Sequence, residues 1–402
     1  MDPSAAADAI GGMEAGGEDA SARGCPNPGV GSQLLLPRGQ KKDDGAEDSE
    51  QGSGAGEASG HSLGYISDDS MTLTELGTKD DHLASLLLSK KLILVLDLDH
   101  TLINSTGVHD LSPIEQANGF SQHTGDDPGK GLFRLNSLSP QMFAKLRPFV
   151  RGFLQQANAM FEMHVYTLGK RRYAWEIAKL LDPDGVYFGE RIISCEESTK
   201  RNRKNLDVVV PADENVVVVI LDDRKDVWKE HNDNLIEMEK YLYFASSCRN
   251  YNTMSLAELN RDEREHDGAL TVILDVLRRV HECFFHSVCG AAFSDVREVI
   301  RLSRQEVLSG CTLAFCRVKS VNPLDSSANY QQMRQRAKHL GADCTAKVVA
   351  AVTHVVATDR TTHKARWALE NGKFLVSKKW IDAAHFRWSK PNEQNFPVTG
   401  GS

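Results

Sequence analysis

An α/β fold, with a parallel sheet and flanking helices followed by a smaller α/β unit, is predicted by three observations on the sequence. The first is a continuously apolar run, Leu92-Ile93-Leu94-Val95-Leu96, of the kind found in strands covered on both faces; Val216 to Leu221 and the shorter Met163 to Tyr166 repeat it. The second is Lys170 to Leu181, between Tyr166 and Val216, where Ala174, Ile177, Ala178 and Leu181 follow the i, i+3, i+4, i+7 spacing of an amphipathic helix. The third is a smaller alternation of strand and helix patterns from about residue 303 to 397. Strands alternating with helices imply a parallel sheet, and ligands of such sheets bind beyond the carboxyl ends of the strands.

Taken in order, residues 1–80 are rich in Gly, Ala, Ser, Asp and Glu and lack the apolar surface that offsets chain entropy, so a disordered tail is expected. Lys41 and Lys42 read as a solvated charge pair rather than a nuclear signal. The main folded unit is expected over 85–250. A helical connector is expected over 251–302, with a helix at about 255–285 that puts Leu270, Ile273, Leu274, Leu277 and His281 on one face. The smaller unit, 303–397, reads as strand Thr312 to Val318, helix Tyr330 to Leu340, strand Thr353 to Ala357, helix Thr362 to Glu370, strand Phe374 to Val376 and a helix around Trp380.

Of the 402 residues, 41% are hydrophobic and 25% charged, which fits a globular protein with room for two folded units. The net charge of −8 argues against direct nucleic-acid binding, which favours a basic excess. No stretch reaches membrane-spanning length and no apolar segment opens the chain, so a soluble intracellular protein is expected. The eight cysteines include no C-x-x-C pair, which points to a reducing compartment without a disulfide scaffold or zinc ribbon. Cys283, His286 and Cys289 read as buried small residues rather than a metal site, because no fourth ligand is in view.

The chemistry centres on Asp97-Leu98-Asp99-His100-Thr101, directly after the first apolar run. Two carboxylates one residue apart at a strand's carboxyl end repel each other unless a cation is present, and magnesium suits hard oxygen ligands. Asp222-Asp223 repeats the arrangement after the Val216 to Leu221 run, so carboxylates from two strand ends converge on one magnesium site. Thr167 follows a strand and precedes a helix, where its hydroxyl and nearby N–H groups suit phosphate oxygens. Lys204, in a basic loop, offers the further cation that a phosphoryl group in an acidic site requires.

Residues of about 88–250 resemble the haloacid-dehalogenase-like phosphatases of the DxDxT class, specifically the FCP-type phosphatases of the RNA polymerase II C-terminal domain. The blocks are Leu94-Val95-Leu96-Asp97-Leu98-Asp99-His100-Thr101-Leu102, Tyr166-Thr167-Leu168-Gly169 and Ile220-Leu221-Asp222-Asp223-Arg224-Lys225-Asp226-Val227-Trp228, in the family's order. The resemblance implies that Asp97 attacks phosphorus to form an aspartyl-phosphate, while Asp99 protonates the departing serine oxygen and later activates water. It implies that Thr101 positions Asp99 and its loop, and that Thr167 and Lys204 hold phosphoryl oxygens. Asp97, the Asp99 backbone carbonyl and Asp223 would bind the metal, with Asp222 direct or through water. The cofactor implied is Mg2+, with Mn2+ or Co2+ as substitutes. Cys195 stands where family members usually carry a basic residue, and it reads as an inert small residue.

Residues of about 303–397 resemble a BRCT domain through Leu340-Gly341-Ala342, Thr353-His354-Val355-Val356-Ala357 and Trp380. With this module attached, the chain is similar to the plant CTD-phosphatase-like proteins. Lys364 matches the phosphate-binding lysine of many BRCT domains, but the hydroxyl position falls near Cys316 and Arg317, which supply no hydroxyl; Arg317 and Lys319 read as a solvated pair. The resemblance thus implies a nuclear protein serine phosphatase acting on the phosphorylated heptad-repeat tail of RNA polymerase II and regulating transcription. Transcription factors such as TFIIF would dock through the BRCT domain or the tail, and no membrane partner is expected. Two alternatives stand beside it. A non-catalytic phosphoprotein-binding scaffold conflicts with the intact Asp97, Asp99, Thr167, Lys204 and Asp223. A small-molecule phosphatase conflicts with the lack of room for a large cap between Thr167 and Asp222, although 107–146 is a sizeable insertion.

Overall fold

The computed structural model describes residues 81–120, 125–251, 253–286, 295–316 and 323–399. The expected tail with Lys41 and Lys42, Cys289, Arg317 and Lys319 lie outside the described residues. The chain runs α1 (Asp81–Leu88), β1 (Leu92–Leu96), β2 (Ile103–Gly107), α2 (Pro113–Ala117), β3 (Leu132–Leu135), β4 (Met142–Leu146) and α3 (Val150–Ala157). It continues through β5 (Phe161–Tyr166), α4 (Arg171–Leu181), β6 (Ile192–Ile193), β7 (Val218–Asp222), β8 (Leu235–Glu237), α5 (Ala245–Cys248), α6 (Ala269–Phe285) and α7 (Val296–Glu306). The last part holds β9 (Thr312–Phe315), α8 (Pro323–His339), β10 (Asp343–Thr345), β11 (His354–Val356), α9 (His363–Glu370), β12 (Phe374–Val376) and α10 (Lys378–Arg387).

The three apolar runs form the centre of a parallel five-stranded sheet, ordered β6-β5-β1-β7-β8. Central β1 is buried along its whole length, and each such side chain contributes about 1.5–3 kcal/mol through removal from water. Its register sets the site. Leu96 lies opposite Val165 of β5 and Leu221 of β7, so Asp97 and Asp222 leave adjacent strands at one level and Thr167 follows one residue beyond it. Helices α3, α4, α6 and α7 bury apolar stripes in the same core.

Several boundaries differ from the sequence-based expectation. Strand β7 starts two residues late because Val216 and Val217 belong to a short 3-10 segment, Ala212–Val217. The helix expected over 255–285 forms only from Ala269. The chain turns tightly before it at Gly268, where a Cβ would lie 2.5 Å from the Arg264 carbonyl oxygen. Helix α8 begins at Pro323 rather than Tyr330, with proline in the first turn where its missing N–H costs nothing. Cys283 is exposed, not buried, on the outer face of α6. Helices α1 and α7 and strand β10 were not foreseen. The insertion 107–146 contributes to an antiparallel sheet, β2-β4-β3, whose helix α2 is started by a capping box of Ser112 and Glu115.

The second parallel sheet, β10-β9-β11-β12, packs on α8, α9 and α10, with Trp380 fully buried and its indole N–H donated to the Pro391 carbonyl at 2.9 Å. Gly341, after α8, has φ +88°, and any Cβ there would lie 1.8 Å from the Gln305 carbonyl at the end of α7, so only glycine lets these segments meet. The two parallel sheets are also joined by side chains. Glu237 of β8 pairs with His385 (3.0 Å) and Arg336 (3.3 Å), and Trp388 is buried in the core of the larger sheet. Among the described residues, no helix is long and apolar enough to cross a membrane.

Candidate active site

Beyond Asp97 the chain folds into a tight loop in which the N–H groups of Thr101, Leu102 and Ile103 all point to the Leu98 carbonyl. His100 takes a left-handed φ of 68°, uncommon for a residue with a side chain, and Asn104 lies 3.0 Å from its Nδ1. Arg147, fully buried, clamps the loop from behind by donating to the Thr101 carbonyl (3.0 Å) while pairing with Glu263 (2.7 Å).

The register brings Asp97, Asp222 and Asp223 together, with one carboxylate oxygen of each within 4.8 Å of the others, and all three are buried. Two lysines reach in. The Lys204 ammonium donates to Asp97 Oδ1 (2.5 Å) and Asp222 Oδ2 (2.6 Å) beside the rings of Tyr166 (5.7 Å) and Trp228 (5.6 Å), and Lys240 pairs with Asp223. Trp228 Nε1 adds a hydrogen bond to Asp222 Oδ2 at 2.8 Å. Burial, then Asp222, push the Asp97 carboxyl well above its usual range against the pull of Lys204. Burial and Asp222 also raise Asp223 against Lys240. Burial opposes the Lys204 charge, yet Asp222 and Asp97 outweigh it and hold the ammonium above the usual lysine range. Three carboxylates facing two ammonium groups leave an excess of negative charge that a cation relieves. The donors are all hard oxygens, the set a hard divalent ion takes, so these residues fit a metal ion.

Asp99 does not join this cluster through its carboxylate. Its Oδ1 accepts hydrogen bonds from the Tyr173 hydroxyl (2.5 Å) and Ser105 Oγ (3.0 Å), and those two hydroxyls are themselves 2.8 Å apart. Burial and the nearby Asp99 raise the Tyr173 phenol well above its ordinary range, so it stays a donor. The Thr101 hydroxyl is buried and lies 3.5 Å from Asp223 Oδ1. Thr167 is buried at the end of β5, and its Oγ1 accepts the Gly169 N–H at 3.0 Å in the turn that launches α4.

Lys364 lies apart from this cluster, in the second sheet. Its ammonium donates to the carbonyls of Phe315 (2.8 Å) and Ala346 (2.7 Å) at the carboxyl end of β9. Cys316, at the position expected of a hydroxyl, is buried with its Sγ 3.2 Å from Thr362 Oγ1. Cys195 is exposed in the loop after β6.

Sequence reasoning missed Lys240, Ser105, Tyr173 and Arg147, and gave Trp228 no role although it ends a quoted block. Tyr173 carried a signal, since it lies in the first turn of the helix that follows Thr167. Lys240 and Arg147 meet their partners across folds of the chain that have no local pattern.

The family of NLI interacting factor-like phosphatases matches residues 92–275, and the BRCA1 C-terminal (BRCT) domain family matches 303–384. RNA polymerase II C-terminal domain phosphatase-like 4 of Arabidopsis thaliana is 42% identical over 390 residues, covering 94% of this chain and 84% of that protein. The chain belongs to the RNA polymerase II CTD phosphatase family. This CTD phosphatase relative is joined by RNA polymerase II C-terminal domain phosphatase-like 3 of the same plant, 36% identical over 77% of this chain, of which the chain spans only 25%. A solved structure of the fission yeast RNA polymerase II CTD phosphatase bound to beryllium fluoride superposes with a TM-score of 0.60 at 25% identity, covering 79% of this chain and 99% of that one. The CTD phosphatase described here is accordingly a protein phosphatase with a haloacid-dehalogenase-like parallel sheet and a C-terminal BRCT domain.

Proposed function

We propose that this CTD phosphatase is a nuclear, magnesium-dependent phosphoserine hydrolase that works through an aspartyl-phosphate on Asp97 and acts on the phosphorylated heptad tail of RNA polymerase II. One observation carries the reading: Asp97 Oδ1 is held by Lys204 while, among the described residues, Oδ2 accepts no hydrogen bond, which leaves one oxygen for bond formation. Asp97 attacks phosphorus as the bond to the serine oxygen breaks, and Asp99 supplies the proton that oxygen takes up. Asp99 then takes a proton from the water that cleaves the acyl-phosphate. Thr167 and Lys204 hold the phosphoryl oxygens, and Lys204 also steadies Asp97. A divalent ion held by Asp97, Asp223 and the Asp99 carbonyl, with Asp222 direct or through water, would neutralise charge on the phosphoryl group.

An extended peptide substrate is favoured by the stretch between Thr167 and β7, which holds one α-helix, one two-residue strand and two short 3-10 segments, too little for a large cap. The BRCT domain would tether the enzyme to phosphorylated polymerase or to transcription factors such as TFIIF, raising local substrate concentration. The test is hydrolysis of singly phosphorylated heptad peptides. Asp97→Asn and chelation should each lower kcat/KM by at least about 1,000-fold, and turnover that survives both rules the mechanism out.

A further inference from the structure

Asp99 stands two residues from Asp97, yet its carboxylate is bonded to different groups. The donors to its Oδ1 come from separate elements, Tyr173 from the first turn of α4 and Ser105 from β2, and among the described residues Oδ2 accepts nothing. The Tyr173 ring is itself seated: a Cβ at Gly169 would lie 2.8 Å from the ring and 3.3 Å from Thr167 Oγ1, so the turn that carries Thr167 is shaped around the tyrosine. Two hydroxyls donated to one oxygen hold the Asp99 carboxylate apart from the cluster of Asp97, Asp222 and Asp223.

From this geometry we infer that Tyr173 and Ser105 are positioning residues for the acid step, fixing Asp99 by Oδ1 so that Oδ2 is the oxygen that delivers the proton. The inference rests on the reading of Asp99 as the acid. As the Asp97–phosphorus bond forms and the phosphorus–oxygen bond breaks, the proton leaves Asp99 Oδ2 for the departing oxygen, and the hydroxyls keep their own protons. Loosening the clamp therefore costs most where the leaving group most needs protonation and nothing where it leaves as a stable anion.

The test uses the full chain and a series of aryl phosphates, from p-nitrophenyl to p-methoxyphenyl phosphate, beside a phosphoserine heptad peptide. The readout is kcat/KM, which ends at departure of the leaving group. Tyr173→Phe should stay within about twofold on p-nitrophenyl phosphate and lose about tenfold on p-methoxyphenyl phosphate and the peptide, with an unchanged thermal midpoint. Ser105→Ala should lose about threefold on the same two substrates, and the double variant should approach Asp99→Asn without falling below it. An equal loss across the aryl series in Tyr173→Phe, or none, overturns the clamp while Asp99→Asn still discriminates by leaving group. If Asp99→Asn itself fails to discriminate, the assignment of the acid falls and the clamp with it.

Discussion

Two lysines stand beyond strand ends in the two parallel sheets, and they spend their charge differently. Lys204 is buried with both hydrogen-bonded partners anionic, Asp97 and Asp222. Lys364 is half-buried with both partners neutral, the carbonyls of Phe315 and Ala346. The first cation is consumed inside the protein, where it orders Asp97 and keeps two carboxylates from repelling each other. The second is held in place by two neutral carbonyls, with no anionic partner among the described residues, the condition for receiving an anion from outside. Residue type alone therefore does not separate the two lysines; the charge of their internal partners does.

The contrast breaks most visibly at Lys204. Lys204→Ala should reduce kcat/KM on phosphopeptides by about 1,000-fold. It should also cost the metal-free protein about 3–5 kcal/mol, because Asp97 and Asp222 are left buried without their cation. Denaturant titrations with and without divalent ion measure this, and a variant as stable as wild type would show that the carboxylates do not depend on Lys204. At Lys364 a smaller effect is expected. Lys364→Gln should weaken phosphopeptide binding by the intact protein about tenfold, as for one charge-assisted hydrogen bond, and flatten its salt dependence. Fluorescence anisotropy at two ionic strengths checks this, and unchanged affinity would remove the recognition role.

The smallest effect sharpens the comparison through pH. His354 of β11, stacked between Phe374 and Trp380, has its pKa lowered, chiefly by burial. Its folded form resists a proton that the unfolded chain accepts near pH 6.5, so its contribution is full above that and declines as pH falls below it, by at most about 1.4 kcal/mol per pH unit. Glu162 of β5 is instead held down to about 2, first by its hydrogen bond to His164, against an ordinary 4.5. Its contribution is complete above pH 4.5 and is lost as pH falls toward 2. Acidification should thus draw on His354 before Glu162. Stability measured from pH 7.5 to 5 should slope less in His354→Gln than in wild type, and parallel slopes would refute it.

The legible parts of the molecule were those with a local pattern. Apolar runs gave β1, β5 and β7, and acidic pairs at their ends marked Asp97 and Asp222 because strand polarity alone puts such residues on one rim. The antiparallel sheet of β2, β3 and β4 escaped because Ile103–Gly107, Leu132–Leu135 and Met142–Leu146 are short and alternate poorly, and β2 finds its partner β4 only 35 to 43 positions along the chain. The Asp99 clamp escaped for the same reason, since Ser105 and Tyr173 converge from β2 and α4. The helix expected over 255–285 was overextended because its apolar spacing said nothing of the close approach at Gly268.

Glu237 ends the edge strand of the larger sheet, in register with Asp222, and is grasped by His385 and Arg336 of the BRCT domain. The BRCT domain is therefore also a buttress for the rim that carries Asp222. A fragment ending near residue 302 would strip that rim of two basic partners and of the Trp388 wedge, and a transplanted module would have to bring replacements for all three.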